Sequence, residues 1–448
     1  RRDQTPMRIQ LSDHFTYSKL LRFTLPSMIM MVFTSIYGVV DGVFVSNFVG
    51  KTPFAALNLI YPYLMILGAV GFMIGTGGSA VVSMTLGRGD KALANRYFSL
   101  MVYAAAIGGA VVSLLAMLAL PWVAARLGAE GQMLEDCILY GRIILAFNPC
   151  FMLQNVFQSF FVTAEKPKLG LYATVGAGLT NMVLDALLVG VFPLGLAGAA
   201  LATGISQAVG ALVPIFYFAR KNDSILRLGP TGFYGKVLLK ACGNGSSELL
   251  SNICSSMVSM LYNLQLMRLA GEDGVAAYGV IMYVSFIFAA ISIGYAVGSA
   301  PVVGFHYGAE NSGELKSLLG KSVRLTAGAG IAMAVLAAVL SAPLSKIFVS
   351  YDQELLEMTV RGFRVYAFSF LFVSFNIFAS SFFTALGNGG VSALISALRT
   401  LVFQCVGVLI LPILLELDGV WLAVVAAEAA ACAVSVLALV INRKVYRY

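Results

Sequence analysis

Charged residues are scarce in this chain, at 11% of 448 residues, whereas 59% are hydrophobic. Soluble globular proteins carry about 25% charged residues, so this composition excludes a soluble protein. Apolar runs long enough to cross a bilayer recur from about residue 20 to about residue 442, and the polar breaks between them are too short to hold a soluble domain. We therefore predict an all-α polytopic membrane protein.

Residue patterns typical of metal, disulfide or hydrolytic sites are also lacking. The chain has two histidines and six cysteines, and no cysteine stands in a CxxC or CxxH pair. We find no nucleotide-binding loop and no hydrolytic triad. We therefore predict no enzymatic activity, no cofactor and no nucleotide as an energy source. The six cysteines are expected to be small, buried, apolar residues of the core: Cys137, Cys150, Cys242, Cys254, Cys405 and Cys432.

The apolar runs predict 12 spans in two lobes joined by a basic linker. Residues 1–6 are polar and Met7 is a possible start, so we exclude this segment from the fold prediction and expect the first span to act as insertion signal. The predicted parts are an N-terminal segment 1–19, an N-lobe 20–219, a linker 220–236, a C-lobe 237–442 and a tail 443–448. The predicted spans are 20–49, 54–86, 96–125, 134–163, 169–192, 196–219, 237–269, 274–306, 317–347, 356–386, 391–415 and 419–442.

Positive charge sorts by side of the membrane. Of the 29 Lys and Arg residues, 21 fall on the side of the termini, seven fall on the other side, and Arg399 lies within a span. Because such an excess marks the cytoplasmic side, both termini are predicted to be cytoplasmic. The net charge of +8 is then explained by the orientation of the spans in the membrane, so we predict no nucleic-acid partner.

The second half of the chain repeats the first at an offset of 221 residues. Gly50 matches Gly271, and Gly87 matches Gly308. The polar stripe Asn155, Ser159 and Thr163 recurs as Asn376, Ser380 and Thr384. Because six spans are an even number, both copies run the same way through the membrane. This predicts two six-helix bundles related by a pseudo-twofold axis along the membrane normal, with a cavity between them.

One cluster of acidic and polar residues stands inside the spans of the first lobe. Asn181 and Asp185 are four residues apart and share a helix face. At about 1.5 Å per residue, Asp41, Asp185 and Thr203 reach similar depths. A carboxylate in a span is costly unless it is protonated, paired or holding a cation, so Asp41, Asn181, Asp185 and Thr203 are predicted to bind a proton or Na⁺. The alternative is that Asp185 only bonds neighbouring helices.

Three charged residues of the second lobe, Glu248, Arg399 and Glu428, are predicted to lie at membrane depth. Glu248 and Arg399 share a depth, which predicts a structural ion pair. The alternative for Glu248 is a cavity-facing acid that attracts cationic substrates. Glu428 is compatible with either role.

Methionine and aromatic side chains are abundant, with 18 Met, 30 Phe and 19 Tyr, and suit a deformable apolar cavity. Core packing or lipid contact is the alternative for each of them. The polar stripes suggest a route near the membrane midplane. The predicted substrate-cavity residues are Tyr37, Gln154, Asn155, Glu248, Met257 and Asn376.

Four features together resemble the multidrug and toxic compound extrusion (MATE) family. They are the first span with Leu25-Pro26-Ser27 and Tyr37-Gly38-Val39-Val40-Asp41, the loop Gly87-Arg88-Gly89-Asp90, the motif Asn181-x-x-x-Asp185, and Thr203. The resemblance implies that the residues of the acidic cluster couple H⁺ or Na⁺ to export. It also implies a bend at Pro26 on protonation, and amphipathic, mostly cationic drugs as substrates. The family type that the chain resembles implies a bacterial plasma (inner) membrane as its location. We expect a monomer in contact with membrane lipid.

The chain departs from the family pattern in its second lobe. Some members use a second carboxylate pair from the seventh and tenth spans, and here the tenth span offers Asn376 and Ser380 instead. A flippase for lipid-linked precursors is the alternative within the superfamily, but it calls for a strongly cationic cavity. A membrane-embedded enzyme or a passive channel are alternatives from other classes.

Overall fold

The computed structural model describes residues 8–448, apart from the side chains of Ser46 and Lys51, so the polar segment around Met7 lies outside the described residues. All regular secondary structure in the described range is helical. The helices are α1 Tyr17–Phe48, α2 Lys51–Gly87, α3 Lys91–Arg126, α4 131–163, α5 Pro167–Val191, α6 Gly195–Ala219, α7 235–270, α8 272–308, α9 Ser312–Val349, α10 Gln353–Ala385, α11 Gly389–Leu415 and α12 Leu417–Ile441, followed by the short helix Arg443–Tyr446.

Helices α7 and α8 join without a loop. The helix Ser246–Gly308 is continuous over 63 residues except at Gly271, whose φ of 65° and ψ of −148° turn the chain back. A straight helix of that length would measure about 95 Å, roughly three times the apolar core of a bilayer. Gly50, the repeat partner of Gly271, joins α1 to α2 with a φ of 125°. Both positions need a backbone conformation that glycine adopts easily.

Twelve spans follow once two breaks are taken into account. Ten helices, or 11 with the bent pair Gly131–Ala146 and Asn148–Thr163 taken as one span, are long and apolar enough to cross a membrane. Dividing the 63-residue helix at Gly271 adds one more span. The bend of 53° in α4 lies beside Pro149, which has no N–H to continue the helical ladder. The prediction of an all-α polytopic protein with 12 spans in two bundles is confirmed.

The two lobes share a core on one side of the molecule only. We call the end that carries both chain termini the terminal side. There, one apolar cluster unites Phe98 and Phe160 of the N-lobe with Val302 and Phe382 of the C-lobe. At the other end, the N-lobe core around Ile60 and the C-lobe core around Trp421 are separate clusters. The lobes are therefore packed together on the terminal side and apart on the opposite side.

Repeat-related glycines allow the lobes to approach closely. A Cβ on Gly77 of α2 would lie 1.8 Å from the carbonyl oxygen of Ala241 in α7, and one on Gly298 of α8 would lie 3.0 Å from the Cα of Thr24 in α1. Gly87 and Gly308 meet backbone of the facing helix, with their added Cβ atoms 2.1 Å from Phe305 O and 2.2 Å from Met84 O. Gly77 and Gly87 each match their partner at the offset of 221, so these contacts follow the pseudo-twofold axis.

Replacement of Gly77 by valine is expected to separate the lobes on the terminal side. The new side chain would overlap α7 backbone, which cannot rotate away as a flexible side chain can. Spin labels at Lys91 and Lys316, one on each lobe, should report a longer distance in Gly77→Val than in the parent. Gly108→Val is the matched control, because a Cβ on Gly108 meets nothing within 4 Å. An unchanged distance in Gly77→Val would contradict the assigned contact.

The segment before α1 bridges the two lobes on the terminal side. Leu11 donates its N–H to the carboxylate of Glu165 in the α4–α5 loop at 3.1 Å. Phe15 donates its N–H to Glu314 of α9 at 2.9 Å and accepts from the amine of Lys321 at 2.6 Å. This segment therefore adds polar bonds to the apolar contact between the lobes.

The linker between α6 and α7 lies on the N-lobe surface. Its Arg227 N–H donates to the amide oxygen of Asn95 in α3 at 2.6 Å. Asp223 accepts from the amine of Lys166 at 2.6 Å and from the hydroxyl of Tyr217 at 2.8 Å. These two hydrogen bonds, together with the charge of Lys166, lower the pKa of Asp223 to about 2. The carboxylate therefore stays charged, and this contact stays intact, throughout the pH range in which ordinary aspartates titrate.

Candidate functional site

The structure brings two carboxyl groups together inside the N-lobe. Asp41 of α1 and Asp185 of α5 approach each other closely enough for their side chains to interact. Asp185 is 1% exposed, and neither residue forms an ion pair within the described chain. Two carboxyl groups at this separation cannot both be ionised without strong repulsion, so the pair suits a shared proton or a bound cation.

Small residues and a local change of helix type position this pair. At Gly178 of α5, an added Cβ would lie 2.4 Å from the ring of Phe33 and 3.1 Å from the ring of Tyr37, so α1 packs directly on α5. Asp185 is the last α-helical residue of α5, and a π-helical turn, Ala186–Val191, follows it. Such turns are frequent at functional sites because they redirect side chains by inserting a residue.

The other two predicted members of the cluster also present oxygen atoms without partners. Asn181 lies one turn before Asp185 and is 3% exposed, and Thr203 lies on α6, which packs against α5. Of the fourteen buried side-chain oxygens that lack a hydrogen-bond partner within the described residues, five belong to this cluster: Asp41 Oδ1, Asn181 Oδ1, both carboxylate oxygens of Asp185 and Thr203 Oγ1. Buried polar atoms are rarely left unpaired, so each calls for a missing partner such as a proton or a cation.

Two tyrosines accompany the pair and were missed by the sequence analysis. Tyr61 of α2 and Tyr140 of α4 lie close enough to Asp41 for charge interaction, and Tyr140 is also that close to Asp185. Tyr140 is buried and Tyr61 is exposed. Tyrosine hydroxyls are scattered through this sequence, so no motif singles these two out.

The donor set fits a hard monovalent cation or a proton. Carboxylate, amide and hydroxyl oxygens are ligands of hard cations, whereas transition metals favour histidine and cysteine. No group of three or more His, Cys, Asp or Glu side chains with metal-binding geometry occurs in the described part of the chain. Na⁺ would be held by the side-chain oxygens of Asp41, Asn181, Asp185 and Thr203.

The ion pair in the C-lobe differs from the prediction. Arg399 donates from Nε to both carboxylate oxygens of Glu428, at 3.0 and 3.2 Å. Asn376 donates from Nδ2 to the same carboxylate at 2.7 Å and to the Glu428 backbone oxygen at 2.9 Å. Glu248 forms no ion pair among the described residues. The predicted Glu248–Arg399 pair is therefore wrong: Arg399 points toward α12, where a buried carboxylate neutralises it.

Several predicted cavity residues instead stabilise the lobe interiors. Gln154 is buried where α4, α5 and α6 meet, against Gly210, and Asn376 is fully buried beside Glu428. Neither residue faces the space between the lobes, which corrects the prediction for both. Asn155 is half-buried and donates its amide to the carbonyl of Gly68 in α2 at 3.1 Å. The polar stripe on α4 is thus at least partly a helix-packing device.

The remaining predicted cavity residues are accessible. Met257 of α7 is 57% exposed, and Tyr37 and Glu248 are half-buried. Pro26 lies in α1, which stays helical from Tyr17 to Phe48 in this structure. The roles predicted for these four residues stay predictions.

Comparison with known proteins agrees with the repeat and the fold. A sequence model of the MatE family matches residues 26–187 and again residues 249–410, one match in each lobe. The multidrug export protein MepA of Staphylococcus saprophyticus is 25% identical over 410 residues, covering 90% of this chain and 88% of that protein. MepA of Staphylococcus aureus strain MRSA252 is 24% identical over 408 residues, with the same coverage.

The fold is shared with solved transporter structures. The outward-facing conformation of a multidrug resistance MATE family transporter of the MOP superfamily superposes with a TM-score of 0.92 at 23% identity. That alignment covers 99% of this chain and 100% of the other. The two family matches together span most of the chain and recur in both lobes, so the protein belongs to the MATE family.

Proposed function

We propose that the protein is a secondary active multidrug exporter that exchanges amphipathic, mostly cationic drugs for protons. The observation that carries this proposal is the pair Asp41 and Asp185, whose carboxyl groups lie close together with buried oxygens that have no hydrogen-bond or ion-pair partner in the described chain. A shared proton satisfies this arrangement directly. Family membership and the names of the MepA relatives support the drug-export part.

Alternating access between the two lobes supplies the transport step. The lobes are packed on the terminal side and separate on the other, so the space between them opens to one face. The excess of Lys and Arg on the terminal side supports a cytoplasmic location for both termini. The open face is then extracellular, where protons enter and drug leaves. Rocking of the lobes breaks the glycine contacts and opens the cytoplasmic side.

Proton binding changes the charge and hydrogen bonding of the N-lobe site. With one proton shared, the pair carries one negative charge, and a second proton removes it. The lost charge ends the attraction for a cationic drug and lets the helices α1 and α5 repack. We propose that α1 bends at Pro26 in this step, because Pro26 has no N–H and leaves the carbonyl of Arg22 without its helical donor.

Sodium is the alternative coupling ion. The unpaired oxygens of Asp41, Asn181, Asp185 and Thr203 are hard ligands that suit Na⁺ as well as a proton. We rank the proton first because one shared proton suffices to join two carboxyl groups that lie close together.

Transport by the purified protein in proteoliposomes tests the proposal. A fluorescent organic cation should move against its gradient when a pH gradient is imposed at equal Na⁺ on both sides. Movement driven only by a Na⁺ gradient at equal pH would reassign the site to Na⁺. Failure of both gradients would overturn the proposed antiport and favour a flippase of the same superfamily, and conductance without counterflow would indicate a channel.

A further inference from the structure

A groove between α1 and α5 on the terminal side combines cationic and apolar walls. It has a volume of about 790 Å³, and its end nearest the terminal side is lined by Arg22 and Lys168. We call this the cationic end of the groove. Deeper in the groove, the walls are formed by Leu25, Ile29 and Tyr172, which are exposed. Arg22, Leu25 and Ile29 lie on one face of α1 by their helical spacing, and Lys168 and Tyr172 lie one turn apart on α5.

This face of α1 points to the membrane and not to the space between the lobes. Thr24, Ser27 and Met28 form the face of α1 that meets Gly294 and Gly298 of α8. The lobes are in contact at this level, so side chains exposed on the other face of α1 border lipid. The groove is therefore an open site at the cytoplasmic leaflet, under the topology proposed from the Lys and Arg distribution.

The positive charges at the cationic end of the groove are only partly neutralised. Lys166 pairs with Asp223 at 2.6 Å, and Arg8 donates to the backbone oxygen of Asp223 at 2.7 Å. The acid of the groove, Glu165, accepts from the N–H of Leu11 at 3.1 Å. Arg22 and Lys168 form no ion pair within the described residues, in which all the ion pairs involve other side chains.

We propose that this groove binds one anionic phospholipid of the cytoplasmic leaflet. Its phosphate lies between Arg22 and Lys168, and an acyl chain covers Leu25, Ile29 and Tyr172. The start of α5 at Pro167 adds the positive end of a helix dipole on the same side as the phosphate. A soluble anion would satisfy the two cations but leave the apolar walls uncovered, whereas a neutral lipid would cover the walls and leave the cations unpaired.

The lipid also touches the flexible point of α1. Pro26 forms part of the groove wall, next to Leu25 and about one helical turn from both Arg22 and Ile29. A bound acyl chain thus supports α1 where its hydrogen-bond ladder is interrupted. Any effect on export depends on the proposed function, but binding itself does not and is measured without a gradient.

A tryptophan at position 172 tests the site directly. The Tyr172→Trp protein is reconstituted with phospholipids brominated in the acyl chain, and quenching is taken relative to the protein with Tyr172, since Trp122 and Trp421 are common to both. Brominated phosphatidylglycerol should reach half-maximal quenching at an about tenfold lower mole fraction than brominated phosphatidylcholine. Because the bromine is on the chain, an ion bound alone gives no signal.

Charge neutralisation separates a site from general surface attraction. In the Tyr172→Trp background, the double substitution Arg22→Gln and Lys168→Gln should make the two lipids equivalent. The ratio of their mole fractions at half-maximal quenching should then be close to one. Arg220→Gln with Lys221→Gln removes the same charge at exposed linker positions and should keep the tenfold preference. The proposal is overturned if the parent quenches equally with both lipids, or if the groove variant retains the preference.

Discussion

Asp41→Asn is expected to reduce gradient-driven export to the level of protein-free liposomes while leaving the protein folded. An amide cannot release a proton at physiological pH, and it offers Asp185 a neutral partner in place of a carboxyl that shares one. The variant therefore loses the change of charge that couples the gradient to the lobes. Its fold should survive because the amide keeps the size and the hydrogen-bonding capacity of the buried group.

Proteoliposomes with an imposed pH gradient provide the measurement, with drug binding and thermal unfolding as checks of integrity. Asp185→Asn should show the same loss, and the double variant should be no worse, because both residues act as one unit. Glu272→Gln is the matched control, since it neutralises an exposed carboxylate at the start of α8. Export by Asp41→Asn at the parental rate under a pH gradient would rule out this pair as the coupling site.

Arg399→Met is expected to cause the largest loss of stability among single charge changes, about 3–5 kcal/mol in the free energy of unfolding. The substitution leaves Glu428, which is 4% exposed, without the guanidinium that neutralises it. Asn376 still donates one hydrogen bond to the carboxylate, but an amide does not balance the charge. The chain must then hold an uncompensated carboxylate at membrane depth.

A second substitution should reverse most of this loss. Glu428→Gln in the Arg399→Met background removes the buried charge while it keeps an acceptor for Asn376. Thermal unfolding of the detergent-solubilised protein measures all four members of the cycle. Arg361→Met is the matched control: its partner is Asp418 at 2.6 Å, but the two side chains are 73% and 33% exposed, so the expected change is below about 1 kcal/mol. Equal effects of Arg361→Met and Arg399→Met would contradict the structural role of the buried pair.

The two lobes use their intramembrane charges differently. In the N-lobe, two carboxyl groups approach each other without a neighbouring ion-pair partner, whereas in the C-lobe an arginine neutralises the carboxylate. Asp185 directly precedes a π-helical turn, Ala186–Val191 in α5, and Arg399 lies within another, Leu398–Val402 in α11. Helices α5 and α11 are the fifth helices of their repeats. The fifth helix of the repeat thus carries a carboxyl group without an ion-pair partner in one lobe and an ion-paired arginine in the other.

The sequence by itself determined the class, the number of spans and the internal repeat. Bilayer thickness imposes a minimum length on each apolar run, so composition and run length were sufficient for the 12 spans. The offset of 221 residues paired Gly50 with Gly271 and Gly87 with Gly308, and each pair has one structural role in both lobes. Helical spacing and depth were also sufficient to nominate Asp41 and Asp185, because acidic residues are rare within spans.

Only the tertiary structure decided which side chains meet at a given depth. Residue counting measures height along a helix, but it contains neither the rotation of that helix nor the identity of its neighbours. Arg399 and Glu248 share a depth, yet the side chain of Arg399 turns to Glu428, and Tyr140 of α4 lies near the acid pair. Burial of Gln154 and Asn376, and closure of the lobes on one side, likewise arise from packing between helices distant in sequence.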